Sequence, residues 1–128
     1  MYQPESSPRN CVIVANDNAD LVNLFKDALE LQKIETYAFT DAASALKKIK
    51  SNPDQFSLVL INYASQLKKP KGKFAKEVKA LSKNIKVIIT SGLDLSAIDI
   101  SKDGYDKFLI LPVKMSTLVS TMKEMLVS

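Results

Sequence analysis

The chain contains no histidine, and that absence removes several kinds of chemistry at once. Without imidazole there is no zinc site built on it and no serine or cysteine nucleophile driven by it. The usual side chain for proton transfer near neutral pH is also missing. Most hydrolase readings fall with it. Cysteine occurs once, as Cys11. An intramolecular disulfide is therefore impossible, and its place at the head of an apolar run marks it as a buried thiol. Long apolar runs are missing too: Val87–Ile89 and Phe108–Leu111 fall far short of the roughly 20 residues that cross a bilayer. Residues Met1–Asn10 carry no apolar signal-peptide region, so the expected compartment is the cytoplasm. Aromatics are only 7% and no long basic helix is visible, so the net charge of +4 suits weak attraction to acidic partners better than nucleic-acid binding.

What is present suits one globular domain. A chain of 128 residues with 46% hydrophobic and 25% charged residues can bury a core unaided. Tyr2–Arg9, with two prolines, two serines and a glutamate, cannot join that core. Residues 1–10 are therefore read as a flexible arm and 11–128 as the domain. Cys11–Ala15 is an apolar run of strand length, and Asn16-Asp17-Asn18 follows with residues that favour turns and helix caps. Asp17 then reads either as a cap suited to the positive helix end or as a metal ligand. Leu21, Leu24, Phe25 and Ala28 recur at helical spacing and predict a first helix with that stripe inward.

Glu35–Phe39 alternates in the manner of a half-buried strand near a sheet edge. Thr40-Asp41 caps a second helix whose inward positions are Ala42, Ala45, Leu46 and Ile49, ended by Asn52-Pro53. Phe56–Ile61 reads as a strand buried on both faces, ending at Asn62. A third helix carries Phe74, Val78 and Leu81, and Ile85–Thr90 is the fourth strand. Leu93–Lys102 has few good helix formers and predicts a weak fourth helix. Lys107–Leu111 is the fifth strand, and Met115, Leu118, Val119, Met122 and Leu126 give a last helix its apolar stripe. Of its methionines, Met125 is the better surface candidate. Five strand–helix alternations predict an α/β fold: a parallel sheet covered on both faces, whose reactive crevice lies at the carboxyl ends of the strands. Asn16, Asp17, Asn62, Ser91 and Leu111 occupy those ends.

From Val12 to Leu126 the chain resembles the receiver domain of response regulators. Val14-Ala15-Asn16-Asp17-Asn18 is similar to the family's first-strand signature, where two adjacent acids hold Mg²⁺. Here Asn16 replaces the first acid and Asp17 stands at the second. Leu58-Val59-Leu60-Ile61-Asn62 resembles the third strand, with Asn62 in place of the aspartate that accepts the phosphoryl group. Val87-Ile88-Ile89-Thr90-Ser91 resembles the fourth strand, whose hydroxyl Ser91 keeps. Phe108-Leu109-Ile110-Leu111-Pro112 is similar to the fifth strand: Phe108 stands at the switch aromatic, Leu111 stands where a lysine should be, and Pro112 is kept. The family also has a cis peptide before this proline. The resemblance implies a three-layer, flavodoxin-like (βα)5 fold with strand order 2-1-3-4-5.

The departures agree with one another. An amide offers no nucleophilic carboxylate oxygen, so Asn62 cannot form an acyl phosphate. Amides at Asn16 and Asn62 weaken a hard-cation site, and Leu111 removes the cation that would pair with phosphate. The expectation is a pseudo-receiver: not an enzyme, without a metal or other cofactor, working by protein–protein interaction in a two-component phosphorelay system. By resemblance its partner surface is the fourth helix, fifth strand and fifth helix, meeting a histidine kinase or another signalling protein. Self-association stays open, as does membership of a longer regulator. An alternative is an anion- or phosphate-binding regulator using Asp17 and Ser91, or the basic loop of Lys68, Lys69 and Lys71. Phosphorylation elsewhere, at Ser91 or Ser65, is a further reading.

Overall fold

The computed structural model describes residues 11–62, 73–92 and 104–127. Along the chain run β1 (Cys11–Ala15), α1 (Ala19–Leu31), β2 (Glu35–Phe39), α2 (Ala42–Ser51), a 3-10 turn at Pro53–Gln55, β3 (Leu58–Asn62), α3 (Lys73–Leu81), β4 (Lys86–Ser91), β5 (Lys107–Ile110) and α4 (Met115–Val127). The strands form one parallel sheet in the order β2-β1-β3-β4-β5. This is the flavodoxin-like topology that the resemblance implies. No helix among the described residues is long and apolar enough to cross a membrane.

Alternation along the central strands builds two cores. Ile13, Ala15, Val59, Ile61, Val87 and Ile89 point to the side covered by α2 and α3. Val12, Val14, Leu58, Leu60 and Ile88 point to the side covered by α1 and α4. Every residue of β1 and β3 is buried, whereas β2 and β5, at the edges, are only partly so. Two-sided burial is why the central strands read as unbroken apolar runs. Each fully buried aliphatic side chain contributes about 1.5–3 kcal/mol relative to exposure.

Local chemistry sets the ends of the elements. Asn18 caps α1, its side chain accepting from the N–H of Leu21, and Asp41 caps α2 by accepting from Ser44. At the other end of α1, Lys33 N–H bonds the Glu30 carbonyl and Ile34 N–H bonds that of Leu29. This is a Schellman motif, with Lys33 at φ 63° in the left-handed position usually given to glycine. Gly104, at φ +93°, leads toward β5 where a side chain would meet the Cβ of Ala75 at 3.3 Å.

Some expectations are corrected. The buried stripe of α1 is Val22, Phe25 and Leu29, and Leu24 is 53% exposed. The cap of α1 is Asn18, while Asp17 is an exposed turn residue. β3 begins at Leu58, two positions after Phe56, and β5 stops at Ile110. Met125 is half-buried against the α1–α4 core. Met122 is fully buried and Met115 partly so, as core-filling methionines are. The arm at 1–10, the loop with Lys68, Lys69 and Lys71, Ser65, and the weak helix at Leu93–Lys102 lie outside the described residues.

Candidate functional site

The topological switch lies between β1 and β3, because the chain leaves β1 toward β2 on one side and returns as β3 on the other. Register carries the site residues there. Ala15 pairs with Ile61, which puts Asn16 and Asn62 next on neighbouring strands, and Asn62 itself pairs with Thr90. Ser91 ends β4 one residue later. Asn16, Asn62, Thr90 and Ser91 are 2%, 9%, 1% and 3% exposed. The carboxyl edge of the three central strands therefore presents buried amides and hydroxyls, and none of these four side chains is ionised at neutral pH.

Backbone and side-chain bonds hold this edge. The N–H of Asn16 donates to the Phe39 carbonyl at 3.1 Å, tying the end of β1 to β2. The Oδ1 of Asn16 accepts from the N–H of Asn18 at 2.8 Å, folding its amide over the turn into α1. The Asn16 Nδ2 is buried and has no hydrogen-bond partner among the described residues. Its assignment follows from that first bond: a flipped amide would set two donors against each other. The hydroxyl of Thr90 donates to the Ile61 carbonyl at 3.5 Å.

The remaining predicted residues lie around this edge. Asp17 follows Asn16 and is exposed. Leu111 is half-buried, and its N–H donates to the Ser91 carbonyl at 2.7 Å, so the position after β5 is brought to the end of β4. The Leu111–Pro112 peptide is cis. Phe108 pairs with Ile89 and is half-buried against the α2–α3 core, a packed aromatic.

This donor set does not suit a divalent cation. Mg²⁺ takes anionic oxygens in octahedral geometry, and among the described residues the edge offers one carboxylate, that of Asp17. The carbonyl oxygen of Asn16 is engaged by Asn18, and its free atom is an N–H₂ group that presents hydrogens. Among the described residues no three Cys, Asp or Glu side chains cluster as metal ligands. An amide at Asn62 delocalises its nitrogen lone pair into the carbonyl and does not attack phosphorus as a carboxylate does.

Sequence reasoning missed a second polar cluster at the opposite edge of the sheet. Oδ2 of Asp106 accepts from the N–H of Val87 at 2.8 Å and from Nζ of Lys79 at 2.7 Å, and the same Nζ reaches the Ile85 carbonyl at 2.8 Å. It fastens α3 to β4 and the entry of β5. A lone aspartate before a strand gives no periodic signal that would reveal it.

Comparison with protein-family models and with curated proteins gives no match. Solved structures do match. A response regulator receiver domain protein from Clostridium thermocellum superimposes with a TM-score of 0.81 at 20% identity, covering 91% of this chain and 93% of that one. A CheY-like receiver domain protein from Methanospirillum hungatei JF-1 gives 0.78 at 21% identity, covering 91% and 92%. The beryllofluoride-activated NtrC4 receiver domain, a dimer, gives 0.80 at 21% identity, covering 91% and 96%. At these identities the likeness establishes the fold.

Proposed function

We propose that this chain is a receiver-like module of a two-component signalling pathway that has lost its phosphoryl-acceptor chemistry and works by binding other proteins in the cytoplasm. The observation that carries the reading is Asn62: an amide, nine-tenths buried, at the end of β3 beside a second buried amide at Asn16. In the family the chain resembles, an aspartate at this position accepts the phosphoryl group from a metal-organised pocket. Here nucleophile, cation site and the lysine replaced by Leu111 are lost together, while the sheet order and both cores persist. Such a domain is not an enzyme. Its partner surface includes β5 and α4, where Ile110 is 50% exposed on the edge strand and supports contact with a histidine kinase or another signalling protein.

The test is incubation with acetyl phosphate and Mg²⁺ followed by intact-mass measurement. The reading expects no added phosphoryl mass; a stoichiometric gain would sink it. A second reading rests on Nδ2 of Asn16, a buried donor lacking an acceptor among the described residues. A ligand oxygen, from an anion or a carbonyl compound, would satisfy that group without metal.

A further inference from the structure

The sheet divides the charge of the domain. On one side α2 holds three lysines and no acid, and α3 holds three lysines and one acid. On the other side α1 holds one lysine and three acids, and α4 holds one of each. Two lysines of the basic layer are committed within the fold. Lys48 lies over the Tyr37 ring, its Nζ 4.7 Å from the centroid, and Lys79 pairs with Asp106. Lys47, Lys50 and Lys76, with Lys83 in the turn after α3, are exposed and have no ion pair or hydrogen bond among the described residues. Their unpaired ammonium groups add to one positive field on this side of the sheet.

These lysines border the groove between α2 and α3, which pack against each other. Lys48 marks the flank of α2 toward the edge strand β2. Ala43, Lys47 and Lys50, spaced four and three apart, therefore lie on the flank toward α3. On α3, Lys76 and Ala80 are exposed one turn apart. The acid of α3, Glu77, is half-buried and has a partner of its own. Ala43 and Ala80 put short side chains between the cations, and short side chains let another helix come close.

We infer that the α2–α3 groove docks an acidic helix of a partner protein, its carboxylates at three–four spacing set against lysines on both walls. The proposal names a surface and a partner chemistry for the protein-binding role above and rests on that role; it involves neither β5 and α4 nor the chemistry at Asn62. Charge complementarity selects the occupant. A bilayer takes up apolar side chains, and the large ones exposed among the described residues, Leu24, Leu31 and Ile110, all lie elsewhere. A nucleic-acid single strand stacks on aromatic rings, and Phe74, the one aromatic of α2 and α3, is fully buried. An acidic helix needs spaced cations and room for its backbone, and the groove has both.

The experiment titrates the full chain with a designed helical peptide whose glutamates follow three–four spacing along one face. A second peptide of the same composition spreads them evenly round the helix, and amide chemical shifts map the contact. The one-faced peptide should perturb α2 and α3 and bind about tenfold more tightly than the spread one. Lys47→Glu with Lys76→Glu should weaken it by about tenfold or more, whereas Lys33→Glu with Lys123→Glu, the same change in net charge on the other side of the sheet, should stay within about twofold. Thermal unfolding checks that both variants are folded. Equal binding of the two peptides, or equal weakening by the two variants, would overturn the proposal, because net charge alone would then account for the binding. Shifts confined to β5 and α4 would overturn this surface and leave the protein-binding role standing. Tighter binding of duplex DNA or of phosphatidylserine vesicles through the same lysines would overturn the partner class. So would sedimentation showing that the chain alone self-associates and that Lys47→Glu with Lys76→Glu abolishes it.

Discussion

The Oδ1 of Asn16 accepts a 2.8 Å hydrogen bond from the N–H of Asn18, which fixes the buried amide and leaves its Nδ2 without a partner among the described residues. One residue thereby joins the cap of α1 to the carboxyl edge of β1. It also makes the site a donor of hydrogen bonds where a cation site needs anionic oxygens. The consequences can be measured at several places.

The capping assignment separates neighbours that look alike in sequence. Asn18→Ala should cost about 0.5–2 kcal/mol of unfolding free energy, because the Leu21 N–H loses its partner. Asp17→Ala should lie within about 0.5 kcal/mol of the parent, since that residue is exposed and caps nothing. Chemical denaturation of the two variants decides between them; a larger loss at Asp17 would contradict the assignment.

Asp106 should matter more than the salt bridge it makes. Asp106→Ala leaves the Val87 N–H without its acceptor and should destabilise by about 1–3 kcal/mol. Lys79→Met removes a pair whose side chains are 26% and 34% exposed, and the loss of that pair should amount to about 0.2–1 kcal/mol. Asp106→Asn, which keeps an acceptor oxygen, should recover much of the difference. Urea midpoints measured side by side test the order.

These elements show what the sequence made legible. For α2, Ala42, Ala45, Leu46 and Ile49 share one helical face and all four are buried, while Ala43, the remaining apolar residue, falls outside that stripe and is exposed. For α1, apolar residues occupy two adjacent stripes, and helical periodicity cannot choose between them. The choice falls to the sheet, where Val12 and Val14 of β1 gather Val22 and Leu29 into one core. The cap was ambiguous for a similar reason: Asn16, Asp17 and Asn18 can all accept from backbone N–H groups, and it is the extended backbone of Asn18, at φ −92° and ψ 108°, that places it at the helix start. The positions of Asn16 and Asn62 were legible because each directly follows a buried apolar run. The unpartnered Nδ2 was not, since it depends on which oxygen meets the N–H of Asn18.

Tyr37 should titrate late. Its hydroxyl donates to Oε2 of Glu35 at 2.7 Å, and this bond, chiefly, raises the phenol above its ordinary value; the donor Nε2 of Gln55 at 3.2 Å acts in the opposite direction. A raised phenol favours the neutral form in the folded state. Its contribution to stability is therefore complete below the unfolded value of about 10 and is lost as pH rises through the folded one. Site-resolved tyrosine NMR should show Tyr37 ionising above the unfolded value, and Glu35→Gln should bring it down. No difference between parent and variant would remove Glu35 as the cause.

Restoring the lost groups should restore the chemistry. In the triple variant Asn16→Asp, Asn62→Asp, Leu111→Lys, acetyl phosphate with Mg²⁺ should add one phosphoryl mass, removed again by Asn62→Ala in the same background. If the triple variant folds yet gains no mass, the fold has diverged beyond these three positions and the account of what was lost is incomplete.

The most direct measurement is a thermal melt of the unaltered chain with and without Mg²⁺ and beryllofluoride, a phosphoryl mimic that needs both the aspartate and the metal. Ligand that binds only the folded state at a hundredfold excess over Kd stabilises by about 2.7 kcal/mol, which for a domain of this size is a rise of about 10 °C. The account predicts no shift in the unaltered chain, with a clear rise in the triple variant measured beside it. A rise of several degrees in the unaltered chain would mean that the pocket at Asn62 still binds metal and phosphoryl mimic, and would contradict the central claim.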